Sequence, residues 1–236
     1  FLPIWVVGAS WNMHEEKFMA GLNLINHLKL RSSYGLRGNV GGLGSPSLLA
    51  YYESTTRFEG NDNERIIDIV SPENESLQWE KEYMFNVALE IGILYRFSTT
   101  IEYYNRYNFD LIGEIEVPRE SGFETKYVNY ADMRNQGLEV TLNTRNVMMQ
   151  DFDWNTIFTF GYNKNIILNA YFNPTVNELT VDEGAALEGR PVNGLYSFPF
   201  AGLNNEGVPQ FYDENDEITL VIDQFSRDIE MLVYEG

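Results

Sequence analysis

Apolar and polar side chains alternate along most of the chain with a period of two, the spacing of strands with two unlike faces. Between Trp79 and Ile93 the odd positions are Trp79, Lys81, Tyr83, Phe85, Val87, Leu89, Ile91 and Ile93. The even positions are Glu80, Glu82, Met84, Asn86, Ala88, Glu90 and Gly92. The pattern repeats from Phe97 to Leu111, where Ile101, Tyr103, Tyr107 and Phe109 stand opposite Thr100, Glu102, Tyr104, Arg106 and Asn108. Leu138, Val140 and Leu142 alternate with Glu139, Thr141, Asn143 and Arg145. Trp154, Phe158, Phe160 and Tyr162 face away from Asn155, Thr159, Gly161 and Asn163, with Ile157 the exception. Earlier, Leu28, Leu30, Tyr34 and Leu36 oppose Lys29, Arg31, Ser33 and Arg37, whereas residues 4–12 are apolar on both sides. Several of these strands span ~10–15 residues, against ~5–6 in ordinary globular sheets. About 9–11 residues suffice for a strand tilted near 45° to cross a bilayer. Length therefore predicts an all-β, antiparallel transmembrane barrel.

The connections support that reading. Residues 94–96 and 147–153 are short links, while 38–76, 112–132 and 169–191 are long and polar. Outer-membrane barrels have short periplasmic turns and long extracellular loops. The first long stretch holds "GNVGGLGSPS" and "EGNDNE" and reads as mobile loop. Residues 14–27 are the exception. Phe18, Leu22 and Ile25 recur at helical spacing behind Glu15 and Glu16, which predicts a short helix beginning at His14.

Composition narrows the function. Lys+Arg 16 against Asp+Glu 35 gives a net charge of −19, which argues against a nucleic-acid partner. With 44% hydrophobic and 14% aromatic residues the chain is not disordered. Cys 0 removes disulfides, thiolate metal sites and cysteine nucleophiles. No window approaches the ~18 apolar residues of a spanning helix, which leaves barrels untouched. Residue 1 is a Phe inside an apparent strand, so the chain is expected to begin part-way through a larger protein.

Candidate chemistry is sparse. Paired carboxylates such as Glu80, Glu82, Glu90, Glu102 and Asp110 suit glycoside hydrolysis when ~5–9 Å apart. In a barrel, Glu80, Glu82, Glu90, Glu102, Arg106, Glu139 and Arg145 instead line a hydrated interior, with Arg31, Arg37, Arg106 and Arg145 neutralising part of the acidic field. Asp213, Asn215 and Glu217 alternate as Ca²⁺ ligands do, but Ile218 stands where an EF-hand loop needs glycine, so a solvated turn is expected. Trp5, Trp11, Trp79, Tyr83, Tyr103, Tyr107, Phe109, Trp154 and Tyr162 include several placed near strand ends, where indole and phenol rings suit the headgroup boundary. The loop aromatics Tyr51, Tyr52, Tyr127 and Tyr130 are candidates for stacking on sugars or peptide side chains, or for packing the loops together. No catalytic, cofactor-binding or metal-ligating residue is expected. The rival class is a soluble, secreted β-sandwich, either a carbohydrate-binding module or a glycosidase.

The segments "VGASWNMHEEKF", "LKLRSSYGLRGN", "LQWEKEYMFNVALEIGIL", "IEYYNRYNFDLI", "MRNQGLEVTLNTRNV", "DFDWNTIFTFGYNKNII" and "GRPVNGLYSFPFAGLNNEGVPQFYD" together resemble the SusC/RagA family of TonB-dependent transporters. The resemblance runs to about Asp216; the segment after it, "EITLVIDQFSRDIEMLVYEG", departs from the family pattern. It implies that residues 1–236 are an internal slice of a 22-stranded plugged barrel, with plug and closing strands outside the chain. It further implies import of a glycan or peptide across the outer membrane of a Gram-negative, Bacteroidetes-type bacterium. The implied partners are a SusD-like lipoprotein, TonB acting through the plug, and outer-membrane lipid.

Overall fold

A computed structural model describes residues 3–39, 49–56, 63–123, 125–181, 185–213, 215–221, 229 and 232–235, with backbone alone for 49–56 and 63–71. The main strands are β1 (Trp5–Asn12), β2 (Ile25–Asn39), β3 (Leu49–Thr56), β4 (Asn63–Ser71), β5 (Glu80–Ile93), β6 (Phe97–Glu116), β7 (Thr125–Met148) and β8 (Asp153–Ala170). Six of them form one sheet in the order β1-β2-β5-β6-β7-β8, and β3 pairs with β4 in a separate hairpin. The chain divides into two compact units. One comprises residues 1–42, 78–111 and 133–165, the other 43–77, 112–132 and 166–236.

In the first unit β1, β2, β5 and β6 pair antiparallel. The register of β2 on β5 runs from Asn39↔Glu80 to Ile25↔Ile93 with one irregularity, between Ile25 and His27. Only residues 94–96 link β5 to β6, closed by an Arg96 N–H donating to Ile93 C=O at 3.0 Å. Leu94 (φ 53°) and Tyr95 (φ 56°) are both left-handed there, the conformation of a type I′ hairpin turn. The short link from β7 to β8 is likewise where the sequence places it.

Three expectations change. No α-helix forms over residues 14–27; two 3-10 turns, Met13–Glu15 and Lys17–Met19, occupy the segment, separated by extended Glu16. Phe18 and Leu22 remain exposed, with Phe18 packed only edge-on against the Trp11 ring at 6.2 Å, and so short a helix with so little packing is marginal in water. The stretch 38–76 is not simply loop, because it contains the β3–β4 hairpin; much of "GNVGGLGSPS" and part of "EGNDNE" lie outside the described residues. The 112–132 connection shrinks to 117–124, because β6 continues through Glu116 and β7 starts at Thr125. A reason is visible at Gly113, where the absent side chain leaves room for the ring of Tyr130; a Cβ there would lie 2.5 Å from Cδ1 of that ring.

The second unit buries Ile167, Val176 and Ala131. Its one described α-helix, α1 (Val176–Thr180), starts in a capping box. Thr175 Oγ1 accepts the Glu178 N–H, and the Glu178 carboxylate accepts the Thr175 N–H. Thr175→Ala is expected to lower unfolding stability by about 1 kcal/mol, read as a shift in denaturant midpoint. Short strands β9 (Tyr196–Ser197), β10 (Phe200–Leu203), β11 (Pro209–Tyr212), β12 (Ile218–Thr219) and β13 (Val233–Tyr234) follow, with β9 on β13 and β10-β11-β12 as a small sheet. The segment after Asp216 that departs from the family pattern thus supplies β12 and β13.

Candidate functional site: two unlike faces of one sheet

Residues directly opposed across an antiparallel ladder point to the same side. The register joins Trp5↔Leu36 and Val7↔Tyr34, Leu36↔Tyr83, Tyr34↔Phe85 and Leu30↔Leu89, and Tyr83↔Tyr107, Val87↔Tyr103 and Leu89↔Ile101. The apolar alternations of four strands therefore merge into one continuous face. Much of that face is exposed, with Tyr34 at 46% and Phe85 at 37%, although Leu36 is buried at 6%; on the opposite face of β5 Met84 and Ala88 are 7% and 3% exposed. A water-soluble sheet shows the reverse, since apolar surface of this extent is unfavourable in water. Hydrocarbon suits it.

Aromatic rings order this face. Trp5 meets Tyr34 (5.6 Å between centroids), Tyr34 meets Tyr83 (6.2 Å), Tyr83 meets Phe109 (5.9 Å), and Phe109 meets Tyr107 (6.1 Å). The row crosses β1, β2, β5 and β6 at the end where the longer connections leave. At the end with the short turns stand Trp11, Phe97 and Trp154, all exposed. Phe97 and Tyr107 are ten residues apart on β6. At ~3.3 Å per residue and a tilt near 45°, that separation spans about 23 Å of height, close to the ~25 Å thickness of an outer-membrane apolar band.

The other face holds the carboxylates and cations singled out in the sequence. Glu90 receives Arg31 Nε at 2.6 Å and lies 3.1 Å from His27 Nε2. Glu80 accepts from Asn39 Nδ2 at 2.8 Å. Glu82 stands opposite Arg37 and Asn108, and Glu102 opposite Ala88. Glu102 also lines a concavity of about 300 Å³ with Arg31, Ser33 and Asn86. Arg106 sits over the Tyr104 ring at 5.0 Å, not against a carboxylate. Glu139 and Arg145 lie exposed on β7, and Arg145 shares a concavity of about 600 Å³ with His27, Arg96, Asn143 and Asn155. Cross-strand neutralisation thus holds for Arg31, whereas Arg106 makes a cation–π contact instead.

His14 lies within the 3-10 turn Met13–Glu15. Its Nδ1 lies 3.2 Å from Leu28 C=O, and its ring is 5.0 Å from that of His27. Asp213 Oδ1 accepts the N–H groups of Asn215 and Glu217, each at 2.9 Å, so this carboxylate folds the β11–β12 turn upon itself. Among the described residues no group of three or more His, Asp or Glu could hold a metal ion, and no helix is long and apolar enough to cross a membrane. Tyr127 and Tyr130 stand in β7 and not in a loop, both half-buried. The side chains of Tyr51 and Tyr52, in β3, lie outside the described residues.

Periodicity did not reveal the fit of Tyr104 over Gly137. A Cβ at Gly137 would come within 2.5 Å of the Tyr104 ring and hydroxyl and 2.6 Å of the Tyr162 carbonyl oxygen. With that space open, the Tyr104 hydroxyl reaches Asn163 Oδ1 at 3.2 Å. The "NQGLE" glycine was the available signal.

A long-stranded antiparallel sheet with lipid-compatible and polar faces is part of a transmembrane β-barrel wall. The family model described as "TonB dependent receptor-like, beta-barrel" matches residues 4–210, and the chain belongs to that family. It is 30% identical over 218 residues to TonB-dependent receptor P39 of Formosa agariphila, covering 89% of this chain and 19% of that receptor. It is 27% identical over 163 residues to TonB-dependent receptor SusC of Bacteroides thetaiotaomicron, covering 67% and 16%. Among solved structures, that of the RagAB peptide transporter aligns with a TM-score of 0.74 at 24% identity, covering 98% of this chain and 25% of that one. The chain thus spans a fifth or less of the length of these curated relatives. The expected SusC/RagA membership and barrel fold both hold.

Proposed function

We propose that this chain is part of the barrel of an outer-membrane, TonB-dependent nutrient importer working with a SusD-like lipoprotein. Plug and closing strands lie outside residues 1–236 in this reading. The observation that carries it is the inverted exposure along β5, where Tyr83 and Phe85 on the apolar face are exposed while Met84 and Ala88 on the opposite face are buried. Family membership supplies the TonB dependence. Likeness to SusC and to a peptide transporter supports a glycan or peptide cargo.

The lumen side then includes Glu80, Glu82, Glu90, Glu102, Arg106, Glu139 and Arg145, which hydrate the passage and set its field. Cargo movement is coupled to displacement of the plug by TonB, so the wall residues act by shape and charge and catalyse nothing. Tyr127 and Tyr130 are proposed cargo contacts together with Tyr51 and Tyr52. In a bilayer, open sheet edges are not tolerated. Residues 1–236 alone are therefore expected to aggregate in plain buffer and to need detergent. A monomeric, detergent-free domain that binds or hydrolyses glycans would establish the soluble β-sandwich instead.

A further inference from the structure

The apolar face carries a polar cluster inside the aromatic row, apart from Lys81, which stands opposite Phe109 and pairs with Asp110. Arg134, on β7, donates from Nη1 to the Tyr107 hydroxyl at 3.2 Å and from Nη2 to Gln136 Oε1 at 2.9 Å, with its guanidinium 5.7 Å from the Tyr107 ring centre. Tyr107 belongs to the apolar face through its pairing with Tyr83, and Asn105, opposite Phe85, shares it. Among the described residues no carboxylate pairs with Arg134. Asn105 Oδ1 and Arg134 Nε are buried there without a hydrogen-bond partner. An arginine and an amide left incompletely satisfied on a face otherwise suited to hydrocarbon are costly unless the surroundings complete them.

We propose that Arg134, held by Tyr107 and Gln136, forms a site for the phosphate headgroup of an anionic lipid. The proposal rests on the membrane reading of this face. Charge complementarity selects the occupant: the guanidinium keeps two Nη hydrogens free of described partners, and a phosphate oxygen takes them in charge-assisted bonds. Depth agrees, because the site lies in the aromatic row at the end with the longer connections, where rings mark the headgroup level. At that level arginine places its stem in apolar surroundings and its charge among headgroups. Although the chain carries a net charge of −19, it offers this cation no carboxylate among the described residues.

The test uses the transporter that carries this chain, in nanodiscs of phosphatidylcholine alone or doped with phosphatidylglycerol, which offers both phosphate and hydroxyl. The thermal midpoint is expected to rise with phosphatidylglycerol. Arg134→Gln should need about tenfold more of it for half the effect, as loss of a charged hydrogen bond implies, while Arg134→Lys keeps part of the response. Inorganic phosphate added to undoped discs should change nothing. An unchanged response in Arg134→Gln overturns the site, and so does a matching shift from inorganic phosphate. A parent protein that enters discs but ignores phosphatidylglycerol sinks the site alone; one that stays in buffer sinks the membrane reading with it.

Discussion

Leu89→Arg is expected to destabilise the inserted barrel by about 2–4 kcal/mol, the range for a cation near the bilayer midplane. Leu89 lies mid-strand on β5, flanked on the apolar face by Leu30 and Ile101, so arginine there has only hydrocarbon and methyl groups around it. Its sequence neighbour is the control. Glu90→Gln points to the polar face, where the amide oxygen still accepts from Arg31 Nε and the amide NH2 faces His27 Nε2 as a donor. Its loss should stay within about 1 kcal/mol, as for partly exposed ion pairs. Both values come from denaturant unfolding in the same micelle or bilayer. Equal losses would mean that the face assignment is wrong.

Gly137→Ala is the second large effect. The new methyl would meet the Tyr104 ring at 2.5 Å and the backbone oxygen of Tyr162 at 2.6 Å. The ring can swing away but the strand cannot, so β7 and β8 must part locally. A cost of about 1–3 kcal/mol follows from overpacking, with the Tyr104–Asn163 bond lost. Tyr104→Phe, which removes only the hydroxyl, should cost about 1 kcal/mol. Restoring space with Gly137→Ala plus Tyr104→Ala should recover little, because the clash with the Tyr162 carbonyl remains. Full recovery in the double variant would show that the ring alone sets the tolerance for glycine.

Strand positions and faces were legible because alternation is a local property: whatever pairs with β5, Tyr83 and Glu82 must point to opposite sides. Contacts that depend on a specific partner were not. Tyr104 reads as one more polar-face residue until β7 brings Gly137 beneath it. Arg134 carries no sign in the sequence that it shares a face with Tyr107. The 14–27 helix failed for the converse reason, since helical spacing predicts packing only where an extended second surface exists, and Phe18 meets the edge of Trp11 while it and Leu22 stay largely exposed. The carboxylates were correctly grouped on one face, but the pairing of Glu90 with His27 comes from a strand more than sixty residues away in sequence.

The hairpin between β5 and β6 closes through Leu94 and Tyr95, both forced into a backbone basin that costs an L-residue roughly 1–2 kcal/mol. Glycine or asparagine would adopt it with less penalty. Such a bend cannot seed the hairpin by its own preference. The rungs from Lys81↔Phe109 to Ile93↔Phe97 hold the corner in that conformation. The hairpin therefore owes its stability to its long rails, and its sharpest bend is imposed by them.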